Sequence, residues 1–545
     1  MTEWRSFAWV GAVGTALRSA VAIATLAAMI AWGQALSARA SKAPLPVERP
    51  RPSDTSSYVS SSACLPCHPG EHASFRRTFH RTMTQDATPA TVLAPFERRG
   101  NEVWTGDRRI VLTTGSHRHQ AYWTTGDRPG DLRIVPSVWL VKEQLLVPRQ
   151  EAFLTPPDAP IGRVRWSSSC IACHAVAGEP RHDETRDAFD TKAAELGIAC
   201  EACHGPGSAH VARHRDPFER RAQHVSTRPD PTIVHPKKIA PERSAAVCGQ
   251  CHSYAFPKDP NDWWTHGYAR AFRAGDDLAA SRFLLPAATA DESVSIDTTE
   301  DSLLWPDGTI RVGGREYNGL VASPCYAKGS GDRKMTCLSC HAMHEGDPSG
   351  QIAPSKRGDA GCVSCHGPQD HSRHAPGTAG AACVSCHMTK TSYALLSAVR
   401  SHRIESPRAD PTKPNACNLC HLGRSLGWTA RKLGEWFGKP ALAVPFDREE
   451  LPEGAIGALR GDAAVRVLVA DALGSPDAVV PPRLRARLLA ALRDDPYPAI
   501  RFIAERSSRV ATSLRTNAEP EAPLDDAIVQ SLLAARDGRP VTIAE

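Results

Sequence analysis

The sequence is poor in aromatic residues, in methionine and in long apolar runs. Aromatic residues make up 6% of the 545 residues, and methionine occurs six times. The apolar run from Ala20 to Gly33 is short for a membrane span, and Arg18 interrupts any longer one. No cysteine or histidine follows His421. The interior is therefore not an ordinary aromatic-rich core, and every cysteine or histidine that could bind a cofactor lies before residue 422.

The N-terminus has the pattern of an export signal. Arg5 and Arg18 precede the apolar run, and an Ala-Arg-Ala sequence at 38–40 follows it, which predicts cleavage near Ser41. An uncleaved membrane anchor is the alternative. The absence of a cysteine near the cleavage site argues against a lipid-modified N-terminus. We therefore expect a mature protein that is periplasmic or otherwise extracytoplasmic.

Eight copies of the pentapeptide CxxCH dominate the chain. Its composition would give roughly 0.02 such pentapeptides by chance, so cysteine content alone does not explain them. The motifs are Cys64/Cys67/His68, Cys170/Cys173/His174, Cys200/Cys203/His204, Cys248/Cys251/His252, Cys337/Cys340/His341, Cys362/Cys365/His366, Cys383/Cys386/His387 and Cys417/Cys420/His421.

The spacing of the motif fits the covalent attachment of haem. Two thiols three positions apart lie on one side of a helical turn, where they form thioethers to the two vinyl groups of one haem. The histidine that follows is then the proximal ligand of the iron. A zinc site also uses CxxC, but it needs paired half-sites and gives no reason for a histidine after every copy. The sequence therefore predicts eight covalently attached haem c groups, bound by the sixteen cysteines and eight histidines above.

The motifs fall into two groups. Motifs two to four occupy residues 170–252, and motifs five to eight occupy residues 337–421. Between motif one and the first group, the runs 109–114, 120–125 and 137–141 predict a small antiparallel β element within a β-rich insertion at about 95–165. We expect the two groups to form one continuous series of haems.

The chain changes character after Leu422, where apolar residues recur at helical spacing. Segments Asp462–Leu473 and Asp495–Glu505 share an aspartate followed by an apolar-Arg pair, and the two pairs are offset by 35 residues. This pattern is typical of HEAT-type helical hairpins, in which each unit buries its apolar face against the next. A plain helical bundle is the alternative.

Together these patterns predict a fold that is mostly α with few strands: a haem-packed multihaem cytochrome c domain followed by a small α-helical HEAT-like repeat domain. The predicted boundaries are 1–40 for the signal peptide, 41–62 for a linker, 63–424 for the octahaem domain, 425–515 for the repeats and 516–545 for a C-terminal helix and tail.

The net charge gives no argument for nucleic acid binding. The formal value is +6, and removing residues 1–40, with three arginines and one glutamate, leaves +4. Each haem adds two propionates, so eight haems contribute about −8 when ferric and about −16 when ferrous, which leaves a holoprotein of about −4 or about −12. Many lysines and arginines are therefore better interpreted as propionate partners.

Histidine is the expected ligand on the opposite face of most irons. Fourteen histidines remain after the eight proximal ones, whereas only four methionines lie beyond residue 40. Bis-histidine ligation implies low reduction potentials and low-spin iron. A histidine a few residues after its own motif lies on the proximal side and reaches only a neighbouring haem. This applies to His72, His210 and His344.

Several stretches resemble the multihaem family of cytochrome c-554 and c-prime type. They are SFRRTFHRTM, CEACHGPGSAH, MTCLSCHAMHEG, HSRHAPG, CVSCHMTK and SHRIESP, and the resemblance covers about residues 60–430. CNLCHLGRSLGWTA resembles family members with a HEAT-like C-terminal region. In that family the corresponding histidines are commonly distal ligands, which implies this role for His80, His210, His344, His374 and His402. His235, in IVHPKKIAPE, is a further candidate, and His117, His119 and His266 compete for the remaining places.

Three functions fit these features. The first is an electron relay between redox protein partners, or from a quinone-linked membrane complex. The second is an octahaem oxidoreductase that acts on a small nitrogen or sulfur compound at one open haem, and the third is an assembly-forming cytochrome or one docked through its C-terminal helices. Because no CxxCK occurs, the lysine-ligated haem of pentahaem nitrite reductases is absent, and the spare histidines favour the relay. No catalytic residue follows from the sequence.

Cys325 is the one cysteine outside the motifs. With the other sixteen linked to haem it has no internal disulfide partner, so it is a buried apolar residue, a sulfur-chemistry residue or an unusual ligand. Its position twelve residues before Cys337 resembles the same multihaem family, which implies a role in the fold.

Overall fold

The computed structural model describes residues 57–159, 164–285, 303–439, 443–511 and 524–543, and the backbone of 51–52. The expected signal peptide, residues 1–40, lies outside the described residues, as does most of the expected linker. Within the described ranges, no helix combines the length and the hydropathy that crossing a membrane requires.

A seven-stranded antiparallel sheet occupies the region between motifs one and two. Its strands are β1 (Thr84–Asp86), β2 (Glu97–Arg99), β3 (Glu102–Thr105), β4 (Arg108–Thr114), β5 (His119–Thr125), β6 (Leu132–Leu140) and β7 (Leu145–Pro148). The strands pair in the order β2-β3-β4-β5-β6-β7, and β1 pairs with β4. The strands are rich in β-branched and aromatic residues, which fit a pleated, half-buried surface.

Both faces of this sheet are covered. Tyr122 packs with Ile110 on one face, and Trp123, its neighbour in β5, packs with Trp166 on the other. Neighbouring residues of a strand point to opposite faces, so one strand supplies both cores. The Trp123 core also includes Ile171, which lies inside the second CxxCH motif. The sheet therefore positions motif two directly.

Short helices carry the motifs. Motif helices are Ile171–His174, Cys200–His204, Pro241–His252, Ala360–His366, Cys383–His387 and Ala416–Cys420, with 3-10 turns at Ser61–Ala63 and Cys337–Ser339. Other helices between them are Pro69–Phe75, Arg149–Ala152, Trp166–Ser169, Ser208–Arg213, Pro217–Val225, Pro260–His266, Leu278–Ser281, Glu316–Ala322 and Pro324–Ala327. The remaining 3-10 turns are Pro236–Lys238, Gly331–Arg333, Pro354–Lys356 and Ala379–Ala381.

Small two-stranded pairs connect these helices. They join Arg51–Pro52 to Lys192–Ala193, Ala175–Val176 to Glu195–Leu196, His182–Asp183 to Ala188–Phe189, Ala255–Pro257 to Arg282–Leu284, and Ser392–Ala394 to Ser397–Val399. With the seven-stranded sheet, the described residues contain more strands than the few we expected. Strands and loops therefore supply much of the framework between the motif helices.

The C-terminal part is a set of packed helices. They are Leu426–Phe437, Asp447–Glu450, Glu453–Leu459, Ala463–Leu473, Pro482–Arg493, Pro498–Ala511 and Asp526–Ala534. Helices Ala463–Leu473 and Pro482–Arg493 both pack against Pro498–Ala511. Their core is continuous with Trp305, Tyr393 and strand β6 through Leu140. Their HEAT-like character stays a prediction.

Two buried ion pairs join these helices to each other and to the motif-bearing part. Arg466 Nε donates to Asp495 Oδ2 at 2.7 Å, and the two side chains are 2% and 0% exposed. Arg311 Nη2 donates to Asp462 at 2.6 Å. Asp462 also caps its own helix by accepting from the Val465 N–H, so one carboxylate serves both contacts.

Candidate cofactor-binding cavity

One connected cavity runs through the motif-bearing part of the protein. Its volume is about 2680 Å³, several times the roughly 300–1,000 Å³ of an ordinary small-molecule site. Seven of the eight motif histidines line it: His68, His174, His204, His252, His341, His366 and His387. The eighth, His421, packs against Trp428 at a ring-centre distance of 5.1 Å.

The motifs share one local backbone geometry. The N–H of the histidine donates to the carbonyl of the first cysteine, at 2.9 Å for Cys64 and His68 and at 2.7 Å for Cys417 and His421. The same bond is present at Cys170 and Cys337. This turn places both thiols and the imidazole on one side of the backbone, as covalent haem attachment requires.

Six of the eight motif histidines face another imidazole at nearly the same distance. The ring centres are 6.0 to 6.5 Å apart in every case. The pairs are His68 with His210, His252 with His80, His341 with His402, His421 with His374, His387 with His371, and His204 with both His344 and His235.

This distance fits a six-coordinate iron between the two rings. An imidazole nitrogen binds a metal at about 2.0–2.1 Å, and the ring centre lies about 1.1 Å behind that nitrogen, so two rings on opposite sides of one metal have centres about 6.3 Å apart. Direct ring stacking would bring the centres closer, as for His117 and Phe79 at 4.0 Å. The pair geometry and the attached thiols together fit bis-histidine haem c.

Hydrogen bonds orient four of the proximal imidazoles. The Nδ1 of His204 donates to the Val234 carbonyl at 2.7 Å, that of His341 to the Gly350 carbonyl at 2.8 Å, and that of His387 to the Glu405 carbonyl at 3.0 Å. The Nδ1 of His252 lies 2.8 Å from the Glu316 carboxylate. Each bond fixes the tautomer that leaves Nε2 free for iron.

Asp230 forms a hydrogen bond with His210, the histidine that faces His68. Its Oδ2 accepts from His210 Nδ1 at 3.1 Å and from His214 Nε2, and its Oδ1 accepts from the Thr232 hydroxyl. The ligand atoms of His210, His214 and Asp230 lie within 4.8 Å of one another, close enough to hold a metal ion. Because the His210 ring faces His68 across an iron-sized gap, orienting His210 is the role that this geometry favours for Asp230.

Burial keeps three imidazoles of the cavity neutral, which is the form that binds metals. Burial lowers the pKa of His80, His119 and His174 to about 4. Burial alone would also lower the pKa of His252, but the hydrogen bond and charge of Glu316 raise it. Burial opposes ionisation of Glu316 in turn, yet the bond to His252 brings the pKa of this carboxyl well below its usual range.

The structure brings all six of the predicted distal histidines to within 6.5 Å of a motif histidine. The ring centres of His235 and His344 both lie close to that of His204, at 6.5 and 6.4 Å. One iron accepts only one of the two histidines. The His344 ring is inclined by 31° to His204 and the His235 ring by 81°. These six therefore account for five motifs rather than six.

Two of the three weaker candidates make no ring contact with a motif histidine within the described residues. His117 stacks on Phe79, and its Nε2 is 3.2 Å from the Ser349 hydroxyl. His266 is the last residue of helix Pro260–His266. His119, by contrast, lies half-buried in β5, and the charge of His174 contributes to its lowered pKa. His119 is thus the candidate ligand opposite His174.

His371 faces His387, although it is not among the distal ligands predicted from the sequence. Its ring centre lies 6.0 Å from that of His387. His371 and His374 stand three residues apart in HSRHAPG, and the resemblance pointed only to His374. Two histidines at this spacing on an extended segment can face two different motifs, which is a signal that the sequence carries. The structure places His374 opposite His421.

Within the described residues, neither His174 nor His366 has a facing imidazole ring, and motif six also lacks a candidate ligand such as His119. All 22 histidines of the chain fall within the described ranges, and no ring contact between them places another histidine over His366. Cys365 and His366 are also exposed.

The motifs touch one another in a branched order. Thiols of neighbouring motifs interact directly: Cys64 with Cys200, Cys173 with Cys251, Cys248 with Cys337, and Cys362 with Cys383. Helix Cys200–His204 packs on Pro241–His252, and Cys383–His387 packs on Ala416–Cys420. The thiols of Cys340 in motif five and Cys365 in motif six are close enough to interact electrostatically. The contacts run from motif one through three, four, five, six and seven to eight, and motif two joins at motif four.

Cys325 lies beside motifs five and six. It lines the cavity in helix Pro324–Ala327, and its charge would act on Cys340 and Cys362. Burial raises the pKa of its thiol, which favours the neutral form. Its carbonyl accepts from the Met335 N–H at 3.3 Å, which ties the helix to the segment leading into motif five.

Comparisons with known proteins agree with the geometry. The model of the family "Cytochrome c554 and c-prime" matches residues 154–205, which contain motifs two and three. The crystal structure of the outer cell wall cytochrome OcwA is similar with 18% sequence identity and a TM-score of 0.51, over 84% of this chain and 100% of that one. No curated protein sequence matches the chain.

A second solved structure, an undecaheme cytochrome from the S-layer of Carboxydothermus ferrireducens, aligns over 88% of this chain and 72% of that one. Its identity is 16% and its TM-score 0.36. The family match and the OcwA likeness, with seven of the eight CxxCH motifs lining one cavity, give the chain the fold of a multihaem c-type cytochrome with covalently bound haem c.

Proposed function

We propose that the protein is an exported octahaem cytochrome that relays electrons between redox partners through closely packed, mostly bis-histidine haems. The observation that carries this proposal is the uniform separation of 6.0 to 6.5 Å between motif histidines and facing imidazoles. A closed coordination sphere suits electron transfer, because no ligand needs to enter or leave. The haems would supply reversible one-electron chemistry between ferric and ferrous iron.

The proposed ligand set follows the pairs. The sixteen motif cysteines attach the haems, and the eight motif histidines are the proximal ligands. The distal ligands are His210 for motif one, His119 for motif two, His344 for motif three, His80 for motif four, His402 for motif five, His371 for motif seven and His374 for motif eight.

The order of contacts between motifs supports a relay with three ends. Within the described residues, the strongest contacts give motifs one, two and eight a single neighbouring motif each, whereas motif four has three. Electrons would therefore enter or leave at these ends and pass through motif four. The proposed partners are redox proteins or a quinone-linked membrane complex, and residues 425–515 offer a surface for docking one of them.

The proposed location is outside the cytoplasm. The export-signal pattern of residues 1–40 supports it, since haem c is attached after export. The structurally similar OcwA is an outer cell wall cytochrome. A position at the cell surface would let the ends of the relay meet extracellular partners.

The decisive test is a low-temperature magnetic resonance and optical spectrum of the oxidised holoprotein, with a haem count per chain. We expect eight haems, nearly all low-spin. A full-occupancy high-spin haem that binds hydroxylamine, nitrite or a sulfur oxyanion would refute a pure relay.

Motif six favours one alternative, an oxidoreductase acting on a small nitrogen or sulfur compound. The exposed His366 has no facing histidine within the described ranges, so its iron would keep a position for a substrate. Titration of the ferric holoprotein with cyanide separates the two functions. Uptake of one equivalent, with turnover of hydroxylamine or nitrite, supports the enzyme; uptake without turnover leaves the relay with one accessible iron.

A further inference from the structure

The carboxylate of Glu316 sets motif four apart from the other oriented motifs. The Nδ1 atoms of His204, His341 and His387 donate to backbone carbonyls, which are neutral. The Nδ1 of His252 instead donates to Glu316 Oε2 at 2.8 Å. Charge-assisted hydrogen bonds are roughly twice as strong as neutral ones.

The carboxylate is held from its other side as well. Glu316 Oε1 accepts from the Gly314 N–H at 2.9 Å, so both oxygens have fixed partners. The side chains of His252 and Glu316 are 43% and 32% exposed, and both line the cavity. The pair is therefore oriented toward the proposed haem rather than toward bulk solvent.

Close packing of two helices keeps Glu316 in place. Helix Glu316–Ala322 packs on the motif-four helix Pro241–His252. A Cβ at Gly249 would lie 2.8 Å from the Tyr317 ring, closer than any real side chain approaches. Gly249 stands between Cys248 and Cys251, so the glycine inside the motif lets Tyr317, and with it Glu316, approach His252.

Glu316 also lies where the two groups of motifs meet. Ser323, which caps the C-terminus of helix Glu316–Ala322, donates its hydroxyl to the carbonyl of His402 at 2.8 Å, and His402 faces His341 of motif five. Cys248 of motif four interacts with Cys337 of motif five. Among the thiol pairs of the described residues, Cys248 and Cys337 form the only contact between motifs two to four and motifs five to eight. The carboxylate of Glu316 lies beside this contact.

We propose that Glu316 is a positioning residue that stabilises the ferric form at the His252 site and makes it a low-potential step between the two groups of haems. A carboxylate acceptor draws the Nδ1 proton and increases the electron density that Nε2 donates to iron, and added electron density favours ferric over ferrous haem. The inference rests on the proposed function, because it requires a haem at motif four. Reduction of that site adds one electron to ferric iron and takes it from a ferrous neighbour.

The test is Glu316→Gln in the full-length holoprotein, followed by spectroelectrochemical titration of all haems. Glutamine keeps the shape and an acceptor oxygen but removes the charge. We expect the ferric-to-ferrous equilibrium of one haem in eight to shift about tenfold toward ferrous iron, which is 59 mV for a one-electron couple. One low-spin magnetic resonance signal should change while remaining low-spin.

Glu345→Gln is the matched control, because Glu345 lines the same cavity and is exposed. It should leave the titration of all eight haems unchanged. An unchanged titration in Glu316→Gln, or an equal shift in both variants, would overturn the inference. If Glu316→Gln does not accumulate, Glu316→Asp is measured; it should give a smaller shift of the same sign, and no shift overturns the inference. The haem count and low-spin content of the unsubstituted protein test the proposed function separately.

Discussion

Replacing His371 by alanine should open one iron and leave the other sites intact. The ring centre of His371 lies 6.0 Å from that of His387, so His371 is the ligand proposed opposite the seventh motif. His371 is exposed, and its other ring contact is Phe437 at 6.3 Å. The haem of motif seven would stay bound through Cys383, Cys386 and His387, so the loss of one exposed ligand does not remove its attachment. The variant should therefore fold and carry the same number of haems.

The expected size of the effect follows from the ligand count. One site in eight loses its second imidazole, so about one eighth of the haem iron should change from low-spin to high-spin. Low-temperature magnetic resonance of the oxidised variant measures this fraction, and cyanide should restore the low-spin signal by binding the freed position.

His224→Ala is the matched control, because His224 is an exposed histidine on helix Pro217–Val225 with no role in the proposed ligand set. It should leave the high-spin fraction unchanged. An unchanged fraction in His371→Ala with all haems present would show that His371 is not a ligand. An equal rise in both variants would show that the effect is not specific to the His387 site.

Three further outcomes are expected. Asp495→Ala should lower the free energy of unfolding by about 3–5 kcal/mol, since it leaves the buried Arg466 guanidinium without its partner; thermal unfolding checks this, and an equal loss in the exposed neighbour Asp494→Ala would contradict it. Burial would raise the pKa of Asp307, but hydrogen bonds from Lys413 and Thr309 bring it to about 2. Because the folded pKa lies below the unfolded value, this carboxylate contributes about 1 kcal/mol at neutral pH, after screening by solvent, and the contribution disappears as pH falls from about 4 to 2. Asp307→Asn should thus destabilise the protein at pH 7 and have no effect near pH 2, and equal destabilisation at both would exclude the charge as the cause. Size-exclusion chromatography with electron microscopy should show monodisperse particles, and filaments would favour an assembly-forming cytochrome.

Local sequence patterns describe the motif turns and several strands of this fold. The runs 109–114, 120–125 and 137–141 fall on strands Arg108–Thr114, His119–Thr125 and Leu132–Leu140. Alternation of apolar residues is a property of consecutive residues, so it is readable without knowing the rest of the chain. The wider sheet needs the pairing of β1 with β4, whose partner residues, such as Asp86 and Leu112, are at least 26 positions apart, and no local pattern encodes this pairing.

The facing histidines show where sequence reasoning ends. Because His210 and His344 follow their own motifs closely in sequence, they are expected to face neighbouring motifs. The structure places them over His68 and His204. The pairing itself depends on contacts between distant segments, and so does the competition of His235 for His204. The same holds for Arg466 and Asp495, whose 29-residue separation matches no repeat in the sequence.

The packing of Gly249 against Tyr317 predicts which residues related sequences can have at one position of motif four. The residue after the first cysteine is Leu, Ile, Glu, Leu, Val, Val or Asn in the other seven motifs, so the chemistry of attachment tolerates a side chain there. In motif four a side chain would strike the Tyr317 ring. A homologue with a larger residue at this position must therefore replace Tyr317 by a smaller residue or move its helix, and moving the helix would take the glutamate away from the histidine. Glycine and tyrosine at these two positions should therefore be inherited together or lost together.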